Sequence, residues 1–445
     1  MTRPQKMQNA ASRFRRLDDG GLTAVNVFFL SALAILGGIA IDVASVVSAR
    51  TQLQATADAA AHAALVEREW HSADEAKTKA LAVAQQNMPQ TRFGEVVKNQ
   101  NITFGDWDRD TGVFTQDNNS RNAVLVTAER DSQNGNPVAT FLLQFVGLWD
   151  WDVRTSSVFE TYYPTCLMEG FVADGVIDVQ SNNSYFNGFC MHSNSYVTIN
   201  NNNYFESGTV VSMPDTNDLV VAVTGNNEPK NEGLAEALRE GKYFIKILNR
   251  LDLITAGVQD RNSRYARDYI NNYNIHQIST GNGNNTSTSF AKATLDPTKL
   301  LKGRVNTADC SNELTLSAGV YEDMAIISEC DVKIGNNVSL INSVLISKGD
   351  IGGSHIVLGA DDNCAPGGGA QLLAYGDIKF SSKIEMYGSQ MIAAGDIDFE
   401  ASGDGMAGAS VVAGGNIDST SNLNFAFCGT GMEHSFLAEY FRLAK

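Results

Sequence analysis

Residues 391–397 read MIAAGDI, a run of apolar residues followed by glycine, an acidic residue and isoleucine. Close copies are VLISKGDI at residues 344–351, LLAYGDI at 372–378 and VVAGGNI at 411–417, and a looser copy, FVADGVI, lies at 171–177. The glycines of the four close copies are 27, 19 and 20 residues apart. Short strands that recur about every 20 residues indicate a solenoid, because each repeat buries its apolar face against its neighbours.

The repeat predicts a mainly β exterior domain that is a right-handed parallel β-helix. We expect glycine to supply a left-handed turn conformation and the following Asp or Asn to bond its own turn. Asp350, Asp377, Asp396 and Asn416 would stack at the ~4.8 Å spacing of neighbouring strands. Turn capping and a ladder of calcium ions are the alternatives for these side chains. The Asn-rich residues 182–203 fit turns with stacked amides, and a two-sheet sandwich is the runner-up fold.

Sequence patterns also divide residues 164–445 into segments. The first β-helix coils are predicted at residues 164–228 and the later coils at 276–430. Helical spacing over 234–239, 244–254 and 261–273 predicts a helical insertion at 229–275. Apolar residues near the C-terminus predict a capping helix at 431–445, because the open end of a solenoid must be covered.

Residues 20–41 carry no charge and are mostly apolar. About 20 such residues suffice for a transmembrane helix, which we place at residues 20–48. A basic cytoplasmic stub at residues 1–19 precedes it, so the N-terminus is predicted inside and the bulk of the chain periplasmic or extracellular. The alternative is a cleaved signal peptide processed near residues 32–34. The stub carries Arg3, Lys6, Arg13, Arg15 and Arg16.

An Ala-rich segment at residues 49–92 predicts an α-helical stalk, with one unbroken helix from the membrane to about residue 86. A small α+β region follows at residues 93–163. Its strands are predicted at residues 101–104, 112–115, 122–129, 140–145 and 151–159.

Four acidic residues are candidate site residues: three that lie close together in sequence and one in the apolar helix. Asp106, Asp108 and Asp110 alternate before a glycine, which suits either a plain acidic turn or half of a calcium loop. Calcium is therefore the one cofactor that the sequence leaves open. Asp42 lies near the end of the apolar helix, as either a boundary residue or the partner of another helix in the membrane.

All six cysteines follow the apolar helix, which favours disulfides in an oxidising compartment. The sequence allows fifteen pairings. We favour Cys166–Cys190 and Cys310–Cys330, which leaves Cys364–Cys428, and buried free thiols are the alternative.

The basic stub, the apolar helix ending in an Asp and the segment QLQATADAAAHAA at residues 52–64 resemble the N-terminal region of TadE/TadG-like Flp pilus-assembly proteins. The resemblance implies an inner-membrane, single-pass, pilin-like protein of the tight-adherence secretion machine. Its partners would be other pilin-like or Tad components, reached through the N-terminal helix. Two features depart from the family: Asn26 stands where prepilins carry Glu, and the D-x-S-x-S motif of many TadG relatives does not occur.

The formal net charge of −17 argues against nucleic acid as a partner. We find no nucleophile or phosphate-binding motif, so we predict a structural protein that is not an enzyme. The alternatives are a surface adhesin or carbohydrate-binding β-helix and, less favoured, a polysaccharide-active enzyme. An adhesin would expose a row of aromatic residues, for which the candidates are Tyr185, Phe186, Tyr196, Tyr204 and Phe205. The alternative for these rings is packing in the core.

Overall fold

A computed structural model of the protein describes residues 19–221, 230–280, 287–382, 384–399, 406–419 and 422–445. The predicted stub, apart from its last residue, and the predicted boundary at 228/229 lie outside these ranges. The chain divides into two compact units. Unit 1 is Met1–Tyr162 with Glu439–Lys445, and unit 2 is Tyr163–Ala438.

Unit 1 begins with three helices: α1 (Asp19–Arg68), α2 (Ala73–Asn87) and α3 (Gln90–Phe93). The prediction of one unbroken helix to residue 86 is wrong, because a turn separates α1 from α2. Ser72 starts α2 with a capping box: its hydroxyl accepts the Glu75 N–H (3.3 Å), and the Glu75 carboxylate accepts the Ser72 N–H (2.9 Å). This Ser-x-x-Glu pattern marks a helix start in the sequence itself.

An antiparallel sheet forms the other layer of unit 1, and its strands lie in the order Val113–Gln116, Ile102–Asp108, Ala123–Arg130, Val153–Tyr162 and Tyr440–Leu443. The predicted strand at residues 140–145 is wrong, since that segment is a loop containing a 3-10 helix, Leu143–Val146. Residues Val138–Ala139, just before this loop, pair antiparallel with Asp150–Trp151, just after it, as a separate two-stranded sheet. The strands are β1 (Ile102–Asp108), β2 (Val113–Gln116), β3 (Ala123–Arg130), β4 (Val138–Ala139), β5 (Asp150–Trp151) and β6 (Val153–Tyr162).

The second half of α1 packs on this sheet through small residues. Leu53, Ala57, Ala60, Ala61 and Ala64 are fully buried and recur at the three- and four-residue spacing of one helix face. They share one apolar core with Ala76 and Ala80 of α2 and with residues of β1 and β3.

Unit 2 is a β-solenoid of parallel coils, and its described residues include the short α-helices α4 (Thr165–Met168), α5 (Leu234–Ala237) and α6 (Leu251–Gly257). Its early strands are β7 (Gly170–Ala173), β8 (Ile177–Val179), β9 (Ser184–Tyr185), β10 (Cys190–Ser193), β11 (Val197–Ile199), β12 (Tyr204–Phe205), β13 (Val210–Met213), β14 (Val220–Val221) and β15 (Leu238–Glu240).

The later strands follow a segment without regular strands. They are β16 (Asn272–Gln277), β17 (Ser289–Leu295), β18 (Arg304–Leu316), β19 (Gly319–Ser328), β20 (Asp331–Ile334), β21 (Val338–Ser347), β22 (Ile351–Gly353), β23 (Ile356–Leu358), β24 (Ala370–Ala374), β25 (Ile378–Phe380), β26 (Ile384–Ala393), β27 (Ile397–Phe399), β28 (Met406–Ala413), β29 (Ile417–Ser419) and β30 (Asn424–Ala426).

The coils follow a different order in space from their order in the sequence. β7 pairs with β10 on one side and with β28 on the other, so the first coil stacks on one of the last. The early coils therefore stack from residue 170 toward one end of the solenoid. The later coils begin at the opposite end and return to residue 170. Alanine occupies the same position in four successive coils and is fully buried in each. These residues are Ala374, Ala393, Ala413 and Ala173.

The segment 241–271, which we call the connector, carries the chain between the two sets of coils. Its 3-10 helix Lys246–Arg250 and α6 replace the longer helices predicted over 244–254. The predicted helix over 261–273 is wrong, because those residues form turns that lead into β16. The connector runs along the solenoid, since Tyr243 bonds Asn194 (3.0 Å) and the N–H of Asn271 donates to the Gly303 carbonyl (3.1 Å).

The C-terminal segment is a strand rather than the predicted capping helix. β31 (Tyr440–Leu443) pairs antiparallel with β6 of unit 1, with Tyr440 opposite Tyr162. An open sheet edge offers unpaired backbone groups, and satisfying them outweighed the helical spacing of the apolar residues.

Candidate functional site

Among the described residues, one helix is long and apolar enough to cross a membrane, and it is α1. Its first half carries exposed apolar side chains, among them Phe28, Phe29, Leu33 and Leu36. Its second half is buried in unit 1. The first half therefore presents to its surroundings an apolar surface that no other described part of unit 1 covers fully.

Asp42 has a partner within unit 1. One carboxylate oxygen accepts the N–H of Phe141 (2.6 Å), and the other accepts those of Leu142 (2.9 Å) and Leu143 (2.7 Å). The side chain is buried. The structure therefore pairs Asp42 with a loop of the same chain, residues 140–149, which we call the apolar loop. The spacing in sequence, about 100 residues, left no local signal for this contact.

The acidic triplet of unit 1 forms a hydrogen-bonded turn. Asp108 accepts the N–H groups of Asp110 (2.9 Å) and Thr111 (3.2 Å). The hydroxyl of Thr111 and then these N–H groups hold the pKa of the Asp108 carboxyl below its ordinary value. Asp106 instead accepts the side chains of Ser120 (3.0 Å) and Asn122 (2.7 Å). In the part of the chain that the structure describes, no three His, Cys, Asp or Glu side chains are placed to hold a metal ion together.

The stacked acidic residues of unit 2 form a hydrogen-bonded ladder. Each carboxylate accepts the backbone N–H of the equivalent residue on the next coil: Asp331 from Asp350 (2.9 Å), Asp350 from Asp377 (2.8 Å) and Asp377 from Asp396 (2.9 Å). Asp396 accepts the N–H of Asn416 (2.7 Å) in the same way. These side chains cap the neighbouring coil, whereas the sequence predicted that each would bond its own turn.

The glycines before these residues have a different role from the one predicted. Gly376, Gly395 and Gly415 do not have a positive φ. A Cβ on any of them would overlap the carboxylate of the preceding coil. Glycine is therefore needed at these positions because the acidic side chain of the preceding coil occupies the space of a Cβ.

The junction between the first coil and the last ones, which we call the seam, is closed by polar side chains. Asn416 accepts the Val176 N–H (2.8 Å), and buried Asn183 accepts the Leu423 N–H (2.9 Å). Glu169, also buried, accepts the N–H groups of Cys428 (2.7 Å) and Gly429 (2.6 Å). Burial raises the pKa of the Glu169 carboxyl, and these two donors oppose that shift. The ladder thus continues from the later coils into the early ones.

Asparagine amides stack at a second corner of the solenoid, as the sequence predicted. Asn202 donates to Asn182 (2.7 Å), which donates to Asn422 (3.1 Å). All three residues have positive φ, a conformation that asparagine tolerates better than most residues.

The structure contains the three disulfides that the sequence favoured. Their Cα–Cα distances of 4.8, 5.4 and 5.7 Å lie in the usual range for disulfides. Cys166–Cys190 ties α4 to β10, Cys310–Cys330 ties neighbouring coils, and Cys364–Cys428 closes a loop of the later coils onto the seam. The pairs are Cys166–Cys190, Cys310–Cys330 and Cys364–Cys428.

The candidate aromatic residues do not form one exposed row. Tyr185 and Phe205 are buried and stack on each other with ring centroids 5.0 Å apart. Tyr185 also stacks on Phe425 across the seam, at 4.9 Å. Phe186, Tyr196 and Tyr204 are exposed. The two buried rings, Tyr185 and Phe205, therefore join coils and are not available to a surface ligand.

One cluster in unit 2 combines a lysine, a carboxylate and a tyrosine, as a polysaccharide-active site would. Asp252 of the connector accepts the Tyr375 hydroxyl (2.7 Å) and the Lys348 ammonium (3.4 Å). The Tyr375 hydroxyl and then Lys348 lower the pKa of the Asp252 carboxyl. Thr255 completes the cluster with a bond to Tyr375 (3.0 Å). The arrangement fastens the connector to the coils.

Two family models match the chain. One is described as a domain of unknown function (DUF7867) and matches residues 170–429, from the first strand of the solenoid to just beyond β30. The other is described as "Putative Flp pilus-assembly TadE/G-like" and matches residues 20–86, which hold α1 and nearly all of α2. No curated protein and no solved structure matches the chain significantly.

Proposed function

Because the chain belongs to the family defined by the domain of unknown function DUF7867 and carries a TadE/G-like segment, we propose that it is a structural component of tight-adherence (Flp) pilus assembly. In this proposal it is a minor pilin-like protein and not an enzyme. The solenoid is a body that holds other components in place.

The observation that carries the proposal is the division of α1 into two halves. The second half forms the core of unit 1, while the first half exposes apolar side chains over more than four helical turns. A bilayer covers such a helix, because its backbone groups are bonded within the helix itself. Other pilin-like or Tad components would pack against the same half.

The proposed location is the inner membrane, with the N-terminus in the cytoplasm and both units on the periplasmic or extracellular side. Basic residues before α1 favour that orientation. Three disulfides support an oxidising compartment for unit 2. The acidic charge of the remaining chain suits an exterior domain without a nucleic-acid partner.

A structural role for unit 2 is supported by the partners of its carboxylates. The ladder residues bond neighbouring coils, Glu169 closes the seam and Asp252 holds the connector. Each of these groups is used for coil-to-coil or connector contacts. We therefore propose that unit 2 acts through its surface and its rigidity and that it transforms no substrate.

The test is deletion of the gene in the organism that encodes the protein, followed by counting pili by electron microscopy and measuring adherence. We expect fewer or no pili, with recovery by the full chain and no recovery by a variant that lacks residues 20–41. A photo-crosslinker at Leu36 should link the restored protein to a pilin-like or Tad component. Unchanged pilus number and adherence in the deletion strain would refute the proposal.

A further inference from the structure

The apolar loop of unit 1 exposes large apolar side chains far more than a folded domain usually does. Phe141 is 70% exposed, Phe145 82%, Leu148 52% and Trp149 66%. Single exposed apolar residues are ordinary, but four of them within nine residues form a patch that needs an explanation. The family match to the TadE/G-like segment ends at residue 86, so the loop lies outside it.

The loop lies against the first half of α1. Leu142, Leu143 and Phe145 line a cavity together with residues of the helix. Gly38 permits the close approach, since a Cβ there would lie 2.7 Å from the Leu142 Cβ. The helix residues that line this cavity are Ser31, Ile35, Gly37, Gly38 and Ile41.

The loop thereby reaches the level of residues that the proposed membrane span contains. Ile35 precedes Asp42 by seven residues, which corresponds to about 10 Å along a helix axis. Phe145, which is 82% exposed, lines the cavity together with Ile35 of α1, which is 48% exposed, so the exposed apolar surfaces of loop and helix meet there. Loop and helix thus present one continuous apolar surface.

The backbone of the loop is also bonded as a non-aqueous environment requires. Asp42 accepts three consecutive N–H groups, those of residues 141–143. Thr140 donates its N–H to the Trp149 carbonyl (3.0 Å) and its hydroxyl to the Leu148 carbonyl (2.6 Å). The Gln144 amide donates to the Phe141 carbonyl (2.7 Å). In hydrocarbon each unpaired backbone group costs several kcal/mol, so irregular backbone there must find partners within the protein.

We propose that the apolar loop inserts into the acyl chains of the outer leaflet and forms a second membrane contact beside α1. The occupant of the exposed face is lipid, because the loop surface continues the lipid-facing surface of the helix and aromatic residues favour the interfacial region of a bilayer. Two contacts fix the rotation of unit 1 about the helix axis, whereas α1 alone would leave unit 1 free to turn. The inference rests on the proposed membrane anchor.

Depth-dependent fluorescence quenching tests the proposal with the full chain. Three variants, Phe145→Cys, Leu36→Cys and Val113→Cys, are labelled with an environment-sensitive fluorophore and reconstituted into phosphatidylethanolamine–phosphatidylglycerol liposomes that contain doxyl-labelled lipid. Val113 is the matched control, as an exposed apolar residue of unit 1 that lies on β2. Mass spectrometry under non-reducing conditions checks that the three disulfides are intact. We expect quenching at position 145 to approach that at position 36 and to exceed that at position 113 several-fold.

The outcomes separate the two proposals. Quenching at position 36 without quenching at position 145 would refute insertion of the loop and leave the membrane anchor intact. Absence of quenching at position 36 would refute the anchor and the loop proposal with it. A blue-shifted but unquenched fluorophore at position 145 would mean that protein covers the loop, which also overturns lipid as the occupant.

Discussion

The Gly–Asp dipeptides of unit 2 divide one structural task between two adjacent residues. The acidic side chain reaches the next coil, and the glycine leaves room for the carboxylate that arrives from the coil before it. The sequence revealed both residues through their recurrence. It misassigned their roles because a single coil, read alone, offers only its own turn as a partner. Asp331, the first member of the ladder, was missed because no glycine precedes it.

At this scale, we expect Asp377→Ala to lower the free energy of unfolding of unit 2 by about 1–2 kcal/mol, because the Asp396 N–H loses its acceptor. Asp377→Asn should cost less, since Asn416 already provides an amide oxygen at the equivalent place in another coil. Urea unfolding of the two variants measures the difference. Equal losses for both would show that the carboxylate does not act as a coil-to-coil acceptor.

The same residue predicts a pH dependence. The Asp396 N–H and then Lys379 lower the pKa of Asp377 from 3.8, so its contribution is complete above that value and is lost as the pH falls through the lowered pKa. The stability difference between the wild type and Asp377→Asn should therefore shrink between neutral pH and about pH 2. Unfolding midpoints across this range measure it, with Asp309→Asn at an exposed position as the control. A difference that stays constant would contradict the assignment.

Secondary-structure elements show where local patterns suffice and where they fail. The apolar half of α1 follows from its uncharged apolar run, its Ala-rich half from helix propensity, and the strands of the solenoid from the recurring apolar pattern. The break after Arg68 has a signal, the Ser72–Glu75 capping box, which the absence of glycine and proline concealed. The segment at 140–145 was predicted as a strand from its apolar residues, but its N–H groups bond a carboxylate about 100 residues earlier in the chain. No local pattern encodes such a contact.

Gly37 and Gly38, adjacent residues of α1, allow a matched test of the contact between this helix and the apolar loop. A Cβ at Gly38 would meet Leu142, whereas one at Gly37 would find nothing within 4 Å. We expect Gly38→Leu to displace the apolar loop and Gly37→Leu to leave it in place. Chymotrypsin cleavage of the purified chain in detergent reports this, since the loop is rich in Phe, Leu and Trp. Equal cleavage of both variants would mean that the loop does not depend on the close approach.

On the scale of the whole molecule, recurrence predicted the solenoid but not the order of its coils. Each repeat carries the same apolar pattern, so nothing in it states which repeat is its neighbour. The order follows from the seam, where Glu169, Asn183 and Asn416 bond backbone groups of coils far away in the sequence. Helical spacing at 244–254 and 261–273 predicts helices, whereas the chain there is mostly turns that run along the coils as the connector, because its partners lie on coils far away in the sequence. The C-terminal strand was missed because its partner, β6, lies almost 300 residues earlier.

The topology of unit 1 predicts that it folds without unit 2. Tyr162 and Tyr440 lie opposite each other in neighbouring antiparallel strands, so an Asn-Gly turn can replace residues 163–439 as a hairpin connection. We expect the shortened chain to show cooperative thermal unfolding by circular dichroism in detergent. As a control, removal of residues 163–445 also deletes β31 and should lower the melting temperature. Non-cooperative unfolding of the first variant would show that unit 1 needs unit 2 to fold.

Membrane topology tests the central claim most directly, namely that a single apolar helix anchors an exterior solenoid. Membranes of the host are washed with alkaline carbonate, and intact spheroplasts are treated with protease from outside. We predict that the full chain stays in the washed membrane pellet and that external protease removes unit 2 while the membrane remains closed. Recovery of the chain in the carbonate supernatant, or a solenoid that is protected in spheroplasts and cleaved in inverted vesicles, would contradict the account.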